Sequence, residues 1–241
     1  MIIETRGIIL RSIKYSETSI IIDVYTEKKG LRSYIVSGVR APKSKISVGL
    51  LQVMSLIDMV CYESDNAGKL NRIKEIKAAH VYTSLIFDVK KSAVGQFVAE
   101  VARRTLREAE ENTALFNLIF DVFVYLDETQ SGYANLHLAF MLALSNHLGF
   151  QPQLDTYTEG SIFDLKEGIF VDNTIGNTHY INPVLAKILR GLMESDWHKS
   201  GDVKMTREQR QLLLNELLNF YRFHIDNLPE INAHKILQEI F

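Results

Sequence analysis

Cysteine is almost missing from this chain: Cys61 stands alone among 241 residues. No intramolecular disulfide can form, and a reducing compartment suits such a chain. Cys61 lies beside Met59 and Val60 in an apolar run, with no histidine or helix terminus near it in sequence to lower its pKa, so it reads as a core residue and not a reactive thiol. Long apolar runs are missing too. Thr129 to Leu154 is free of Asp, Glu, Lys and Arg, but Gln130, Asn135, His137, Ser145, Asn146, His147, Gly149, Gln151 and Pro152 interrupt it, which excludes a membrane span. Only Leu136 to Leu144 is densely apolar, and it reads as a helix buried all round within a bundle. Met1 to Thr5 shows no basic stretch leading into an apolar one, so no secretory signal is expected and a cytoplasmic location is. Catalytic signatures are lacking as well: there is no G-x-S-x-G elbow, no Gly-rich phosphate loop and no H-E-x-x-H. The carboxylates are scattered, and His137/His147 and His224/His234 stand ten apart, wrong for a helical ligand pair. The expectation is a protein that is not an enzyme, with no catalytic residues, no metal ligands and no cofactor.

What is present begins with a period of two. Arg6–Ile13, Ser19–Thr26 and Leu31–Val39 are Ile-, Val- and Tyr-rich runs of strand length, and Leu51–Glu63 and Leu70–Lys77 supply two more. Lys28, Lys29 and Gly30 form a hairpin signal between the second and third, as do Asp65 to Gly68 between the fourth and fifth. Five short strands in about eighty residues predict a small closed barrel of the OB type. Charge sorts along the chain. Up to His80 there are thirteen Lys and Arg against eight Asp and Glu, a net of +5; the remainder has fourteen against twenty-one, a net of −7. A basic first third points to a local anionic partner. Lys14, Lys28, Lys29, Arg40, Lys43 and Lys45 fall in predicted loops, and loops converging at one rim would make a backbone-binding patch. The same residues also suit plain solvated turns.

Beyond His80 the period moves towards 3.6. Gln96–Glu111 carries Arg103, Arg104 and Arg107, with Glu100/Arg104 and Arg107/Glu111 at i,i+4 spacing, which fits either a salt-bridged face or an arginine cluster that takes an acidic, apolar-ended peptide. Leu115–Leu126 and Tyr133–Leu148 continue as helices, with Gly149 and Pro152 as a stop. Ile162–Leu165 and Ile169–Val171 flank Lys166-Glu167-Gly168 as a small hairpin, expected to be held by Phe163, Leu165, Ile169 and Phe170. Asn182-Pro183 starts a helix, Thr206 with Gln209 makes a capping box, and Leu212, Leu213, Leu217, Leu218 and Tyr221 form the next stripe. Ile236, Leu237, Ile240 and Phe241 close the chain.

In order along the chain, Arg6-Gly-Ile-Ile-Leu-Arg11, Tyr15-Ser-Glu-Thr-Ser19, Asp23-Val-Tyr-Thr-Glu27 with Gly30, Gly38-Val-Arg-Ala-Pro-Lys-Ser-Lys45, Glu100 to Glu111 with Leu115-Phe116, and His147-Leu-Gly-Phe-Gln-Pro152 resemble the RecO family of bacterial recombination mediators. The resemblance implies an α+β chain: an OB-fold DNA-binding domain over 1–79, then a helical domain over 80–241. Its small insertion, about 155–181, holds a cysteine-bound zinc in many members of the family. Here neither flank of the hairpin has a cysteine, so no zinc is expected. The resemblance further implies binding of single- and double-stranded DNA, strand annealing, and work with RecR to load RecA on DNA coated by single-strand-binding protein, whose acidic tail docks on the helical domain. The residues expected to hold the DNA backbone are Lys14, Lys28, Lys29, Arg32, Arg40, Lys43, Lys45, Arg72 and Lys74. Tyr15, Tyr25 and Tyr34 are candidate stacking platforms, though strand tyrosines also serve as packing. A competing reading leaves the barrel as a scaffold and puts function in partner peptides bound between the helices.

Overall fold

A computed structural model describes residues 1–39, 46–64, 70–106, 110–172 and 178–241. Arg40, Lys43, Lys45, Arg107 and the turn at 65–68 therefore lie outside the described residues. The chain packs as two units, Met1–Asp127 and Glu128–Phe241.

In the first unit β1 (Ile2–Lys14), β2 (Ile20–Thr26), β3 (Gly30–Val36), β4 (Leu56–Tyr62) and β5 (Asn71–Ala78) close into a barrel in the order β1-β2-β3-β5-β4. All pairs are antiparallel except β3 with β5. This is the expected OB-type barrel. β1 starts four residues before the predicted Arg6, because its first half pairs with β4 while its second half pairs with β2. β4 starts five residues after the predicted Leu51: Ser47 caps a 3-10 turn over Val48–Leu51, and Met54 takes a φ of 76° before the strand begins. Ile9, Ile22, Val24, Tyr34, Leu51, Ile57 and Met59 fill the interior. Gly7 is required where β1 crosses this core, since a Cβ there would sit 3.3 Å from Ile57 and closer still to Val24. Gly30, at φ 61°, turns the predicted β2–β3 hairpin.

Two helices complete this unit, α1 (Val89–Thr105) and α2 (Thr113–Glu128). α1 begins seven residues before the predicted Gln96 and ends before Glu111. The Asp88 carboxylate fixes the early start by accepting the N–H groups of Lys90 and Lys91 at 2.8 and 3.0 Å. The connection from the barrel is pinned by Asp127 of α2, buried at 1% side-chain exposure, which accepts N–H groups from Thr83, Ser84 and Leu85 at 3.0, 2.8 and 2.7 Å. These bonds and His80 at 3.1 Å outweigh burial and hold the Asp127 carboxyl well below the usual carboxylate range.

The second unit contains α3 (Leu136–His147), a three-stranded sheet of β6 (Ile162–Asp164), β7 (Ile169–Val171) and β8 (Tyr180–Ile181), then α4 (Pro183–Glu194), α5 (Arg207–His224) and α6 (Ala233–Ile240). Gly149 at φ 84° ends α3, Asn182 caps α4 with Pro183 in its first turn, and Thr206 with Gln209 forms the capping box of α5. The predicted hairpin exists, and β8 joins it as a third strand. Phe163 packs on Phe170 at 5.0 Å and on Phe220 of α5 at 5.7 Å, so aromatic rings fill its base. Two expectations shift. Leu212 is exposed, and the buried stripe of α5 is Leu213, Leu214, Leu217, Leu218, Phe220 and Tyr221; at the end of the chain Leu237 is buried while Ile236 is exposed. Which arc of each helix is buried follows from the neighbours it packs against, not from the local period.

Candidate nucleic-acid interface

Alternation along the strands decides which cations face water. On β3, Arg32, Tyr34 and Val36 point inward, and Leu31, Ser33 and Ile35 outward. Arg32, one of the expected backbone contacts, is therefore 9% exposed and sits inside the barrel with Glu63, whose carboxylate lies 3.9 Å from its Nε. The same carboxylate accepts the Tyr34 hydroxyl and the Asn71 amide, the latter at 3.1 Å. Burial and this acidic neighbour push the Tyr34 hydroxyl above its ordinary range, and burial raises the Cys61 thiol to about 12. This cluster seals the barrel and is not a contact surface. Tyr25 is turned away from water as well, its ring 6.2 Å from Phe116 of α2.

The outward positions are different. Ile13 of β1 pairs with Ile21 of β2, Ile21 with Ile35 of β3, Ile35 with Arg72 of β5, Arg72 with Tyr62 of β4, and Tyr62 with Ile2 of β1. One unbroken row of neighbours thus winds round the outside of the barrel, each exposed or half-buried. Lys14 and Tyr15 follow Ile13 at the start of the β1–β2 loop, with Tyr15 62% exposed and Tyr62 48%. Lys74 is exposed two residues beyond Arg72 and lies 3.6 Å from Glu75. Next to this row runs a polar one, Arg11, Asp23 and Ser33, joined by bonds of 3.3 and 2.7 Å. Val39 donates its N–H to Thr18 of the β1–β2 loop at 2.9 Å; Arg40, Lys43 and Lys45 lie outside the described residues.

Among the described residues the expected loop cations do not gather at one rim. Lys14 is level with Ile20, whereas Lys28 and Lys29 follow Thr26, which is level with Gly7. The strand rise over that stretch of β1 separates them by about 23 Å. The Lys28–Lys29 turn lies beside Glu27, which is paired at 2.7 Å with Arg6, and the Arg6 guanidinium rests 5.0 Å from the rings of Phe116 and Phe120. On α1, Arg104 reaches Glu100 at 3.8 Å. Arg103 has no carboxylate within ion-pair distance among the described residues, and burial followed by the like charge of Arg11 and Arg104 lowers its proton affinity. Tyr62 and the isoleucine row were not anticipated. The sequence signal for Tyr62 was available: it is one step past buried Cys61 in an alternating strand, so it faces out.

Row and loop together offer cations for phosphates, two exposed aromatic rings and an apolar floor, the kinds of group that track a polynucleotide strand. The recombination protein O N-terminal family matches residues 1–82, and the recombination protein O C-terminal family matches residues 86–230. The chain is 34% identical to the DNA repair protein RecO of Bacteroides fragilis, 33% to that of Christiangramia forsetii and 32% to that of Phocaeicola vulgatus, in each case over the full length of both chains. Barrel, helical segment and full-length similarity converge on one conclusion: this chain belongs to the RecO family of DNA repair proteins.

Proposed function

We propose that this protein is a recombination mediator whose barrel captures single- and double-stranded DNA, anneals strands and, with RecR, helps RecA load on DNA coated by single-strand-binding protein. The observation that carries the DNA-binding part is the outward row from Ile13 to Arg72 and Tyr62, flanked by Lys14 and Tyr15. Lys14, Arg72 and Lys74 neutralise phosphates, together with Arg40, Lys43 and Lys45, while Tyr15 and Tyr62 stack on bases. Lys28 and Lys29 serve a duplex long enough to reach the far end of the hairpin, and Arg32 takes no part. Arg103, Arg104 and Arg107 receive the acidic tail of the single-strand-binding protein. The protein hydrolyses nothing, needs neither cofactor nor zinc, and acts in the cytoplasm on the nucleoid.

Among the described residues no helix is long and apolar enough to cross a membrane. A second reading, partner docking with an inert barrel, draws on Val81, Phe87 and Val89, each about three-quarters exposed on the segment pinned by Asp127. Fluorescence anisotropy of a labelled oligo(dT) across a salt series separates the two. Log affinity falling steeply with log salt supports the mediator, since released counterions drive such binding; no binding even at low salt overturns it in favour of docking.

A further inference from the structure

The second unit carries a cleft that the DNA reading does not use. It measures about 720 Å³ and is walled by α3, the end of α4 and the two short turns at Leu154–Thr156 and Trp197–Asp202. Leu142, Ala143, Leu192 and Trp197 give it an apolar lining, and Asp155 and Asp196 bring the only ionised groups among the lining residues; no lysine, arginine or histidine lines it. The volume lies in the range of sites that hold a few side chains.

Charge identifies the occupant. Just outside the cleft the other carboxylates are already matched, Glu194 with Arg190 at 2.9 Å and Glu159 with Lys187 at 2.7 Å. Asp155 has no cationic partner among the described residues. Asp196 accepts the backbone N–H and the ring of His198, at 3.1 and 2.6 Å, which keeps its carboxyl below the ordinary range, and neither His198 nor Lys199 lines the cleft. The surrounding unit adds a field of the same sign: from Glu128 onward there are nine Lys and Arg against fourteen Asp and Glu, a net of −5.

We propose that this cleft is a docking site for a partner segment that is apolar and cationic, an amphipathic stretch whose leucine-type side chains enter between α3 and α4 while a lysine or arginine reaches Asp155 and Asp196. This is opposite in sign to the acidic tail assigned to α1, and it stands whether or not the barrel binds DNA. Carboxylates at the mouth and apolar walls within favour such a segment by steering and burial together.

Trp197 is the only tryptophan of the chain, so the full-length protein reports on its own cleft by fluorescence. The probe is an amphipathic peptide of about twelve residues with leucines at i,i+4 spacing and lysines beside them. Saturable change in Trp197 emission is expected. The D155N/D196N double variant weakens binding about five- to tenfold, the range for two exposed charge contacts, and A143R, which puts bulk and positive charge on the lining, abolishes it while far-ultraviolet circular dichroism stays unchanged. A matched peptide with glutamate for lysine does not bind. Equal binding of both peptides, preference for the acidic one, no response to either, or emission that changes on dilution of the protein alone, which marks a second copy as occupant, each overturns the proposal.

Discussion

Ile35 of β3 lies in parallel register with Arg72 of β5. This contact closes the barrel, and it also places an arginine at the end of an isoleucine row drawn from three strands. Barrel closure and assembly of the proposed interface are thus one event. Loss of the β3–β5 pairing would open the barrel and scatter the surface at the same time.

Charge reversal at Lys14 and Arg72 tests whether the row carries phosphates. The K14E/R72E variant is expected to fold as wild type and to lower the salt slope of oligo(dT) binding by about 1.4, two contacts at roughly 0.7 each. K28E/K29E, some 23 Å away along β1 by strand rise, should leave the slope for a short oligonucleotide unchanged. An equal effect of the two pairs would place the interface elsewhere.

Stacking separates exposed tyrosines from buried ones. Y15A and Y62A are each expected to weaken single-strand binding by about 1–3 kcal/mol with little change in stability. Y34F should do the reverse: it strips Glu63 of a donor inside the barrel and costs about 1–3 kcal/mol of folding stability, leaving the salt slope alone. Anisotropy and urea melts on the three variants check this.

Asp127 is a strong lever on the first unit because one buried carboxylate satisfies several backbone donors. D127A leaves the N–H groups of Thr83, Ser84 and Leu85 without their acceptor and is expected to cost about 3 kcal/mol or more. Because its folded pKa is depressed, its contribution is present above the ordinary carboxylate value and is lost as pH falls below it. Denaturant unfolding at neutral pH measures the cost.

His137 gives stability a second pH dependence, of the same sign but at higher pH. It is wholly buried on α3 against Phe241, and burial with Arg210 nearby lowers its pKa to about 3. An unfolded histidine titrates near 6.5. Between those values the unfolded chain holds a proton that the folded one does not, so stability rises with pH through that window and is lost as pH falls from about 6.5 towards 3. Urea melts between about pH 5 and 6.5, above most carboxylate titration, should show this slope, and H137L should flatten it by one proton. An unchanged slope would mean His137 is reached by solvent.

Among the described glycines of the second unit, Gly201 leaves the least room for a side chain. A Cβ there would sit 2.6 and 2.8 Å from the backbone Cα and carbonyl carbon of Gly132, and backbone cannot swing aside as a side chain does. G201A is expected to destabilise by about 1–3 kcal/mol, seen as a lowered melting temperature.

Much of the architecture was legible because it rests on local rules. Period-two runs marked the barrel strands, Gly30 and Gly149 marked turns that need positive φ, and Asn182, Pro183, Thr206 and Gln209 marked helix starts through hydrogen bonds only a few residues long. The lone Cys61 excluded an intramolecular disulfide whatever the fold. The exposure of the residues proposed to meet DNA was half legible. Lys14, Arg72 and Tyr15 are exposed as expected, but Arg32, Tyr25 and Tyr34 are buried, because a loop cation and an inward strand cation look alike until the register is known.

What the sequence determined by itself, then, is the inventory: strands, caps, turns, charge by segment, and a family likeness spread along the chain. Tertiary structure decided everything that depends on which strand lies beside which. Pairing across long separations turned Arg32 inward to Glu63, set Arg72 beside Ile35 and Tyr62, and parted Lys14 from Lys28 and Lys29. The physical reason is that side-chain direction in a barrel follows from registry, and registry is fixed by contacts between residues tens of positions apart, where no local periodicity reaches.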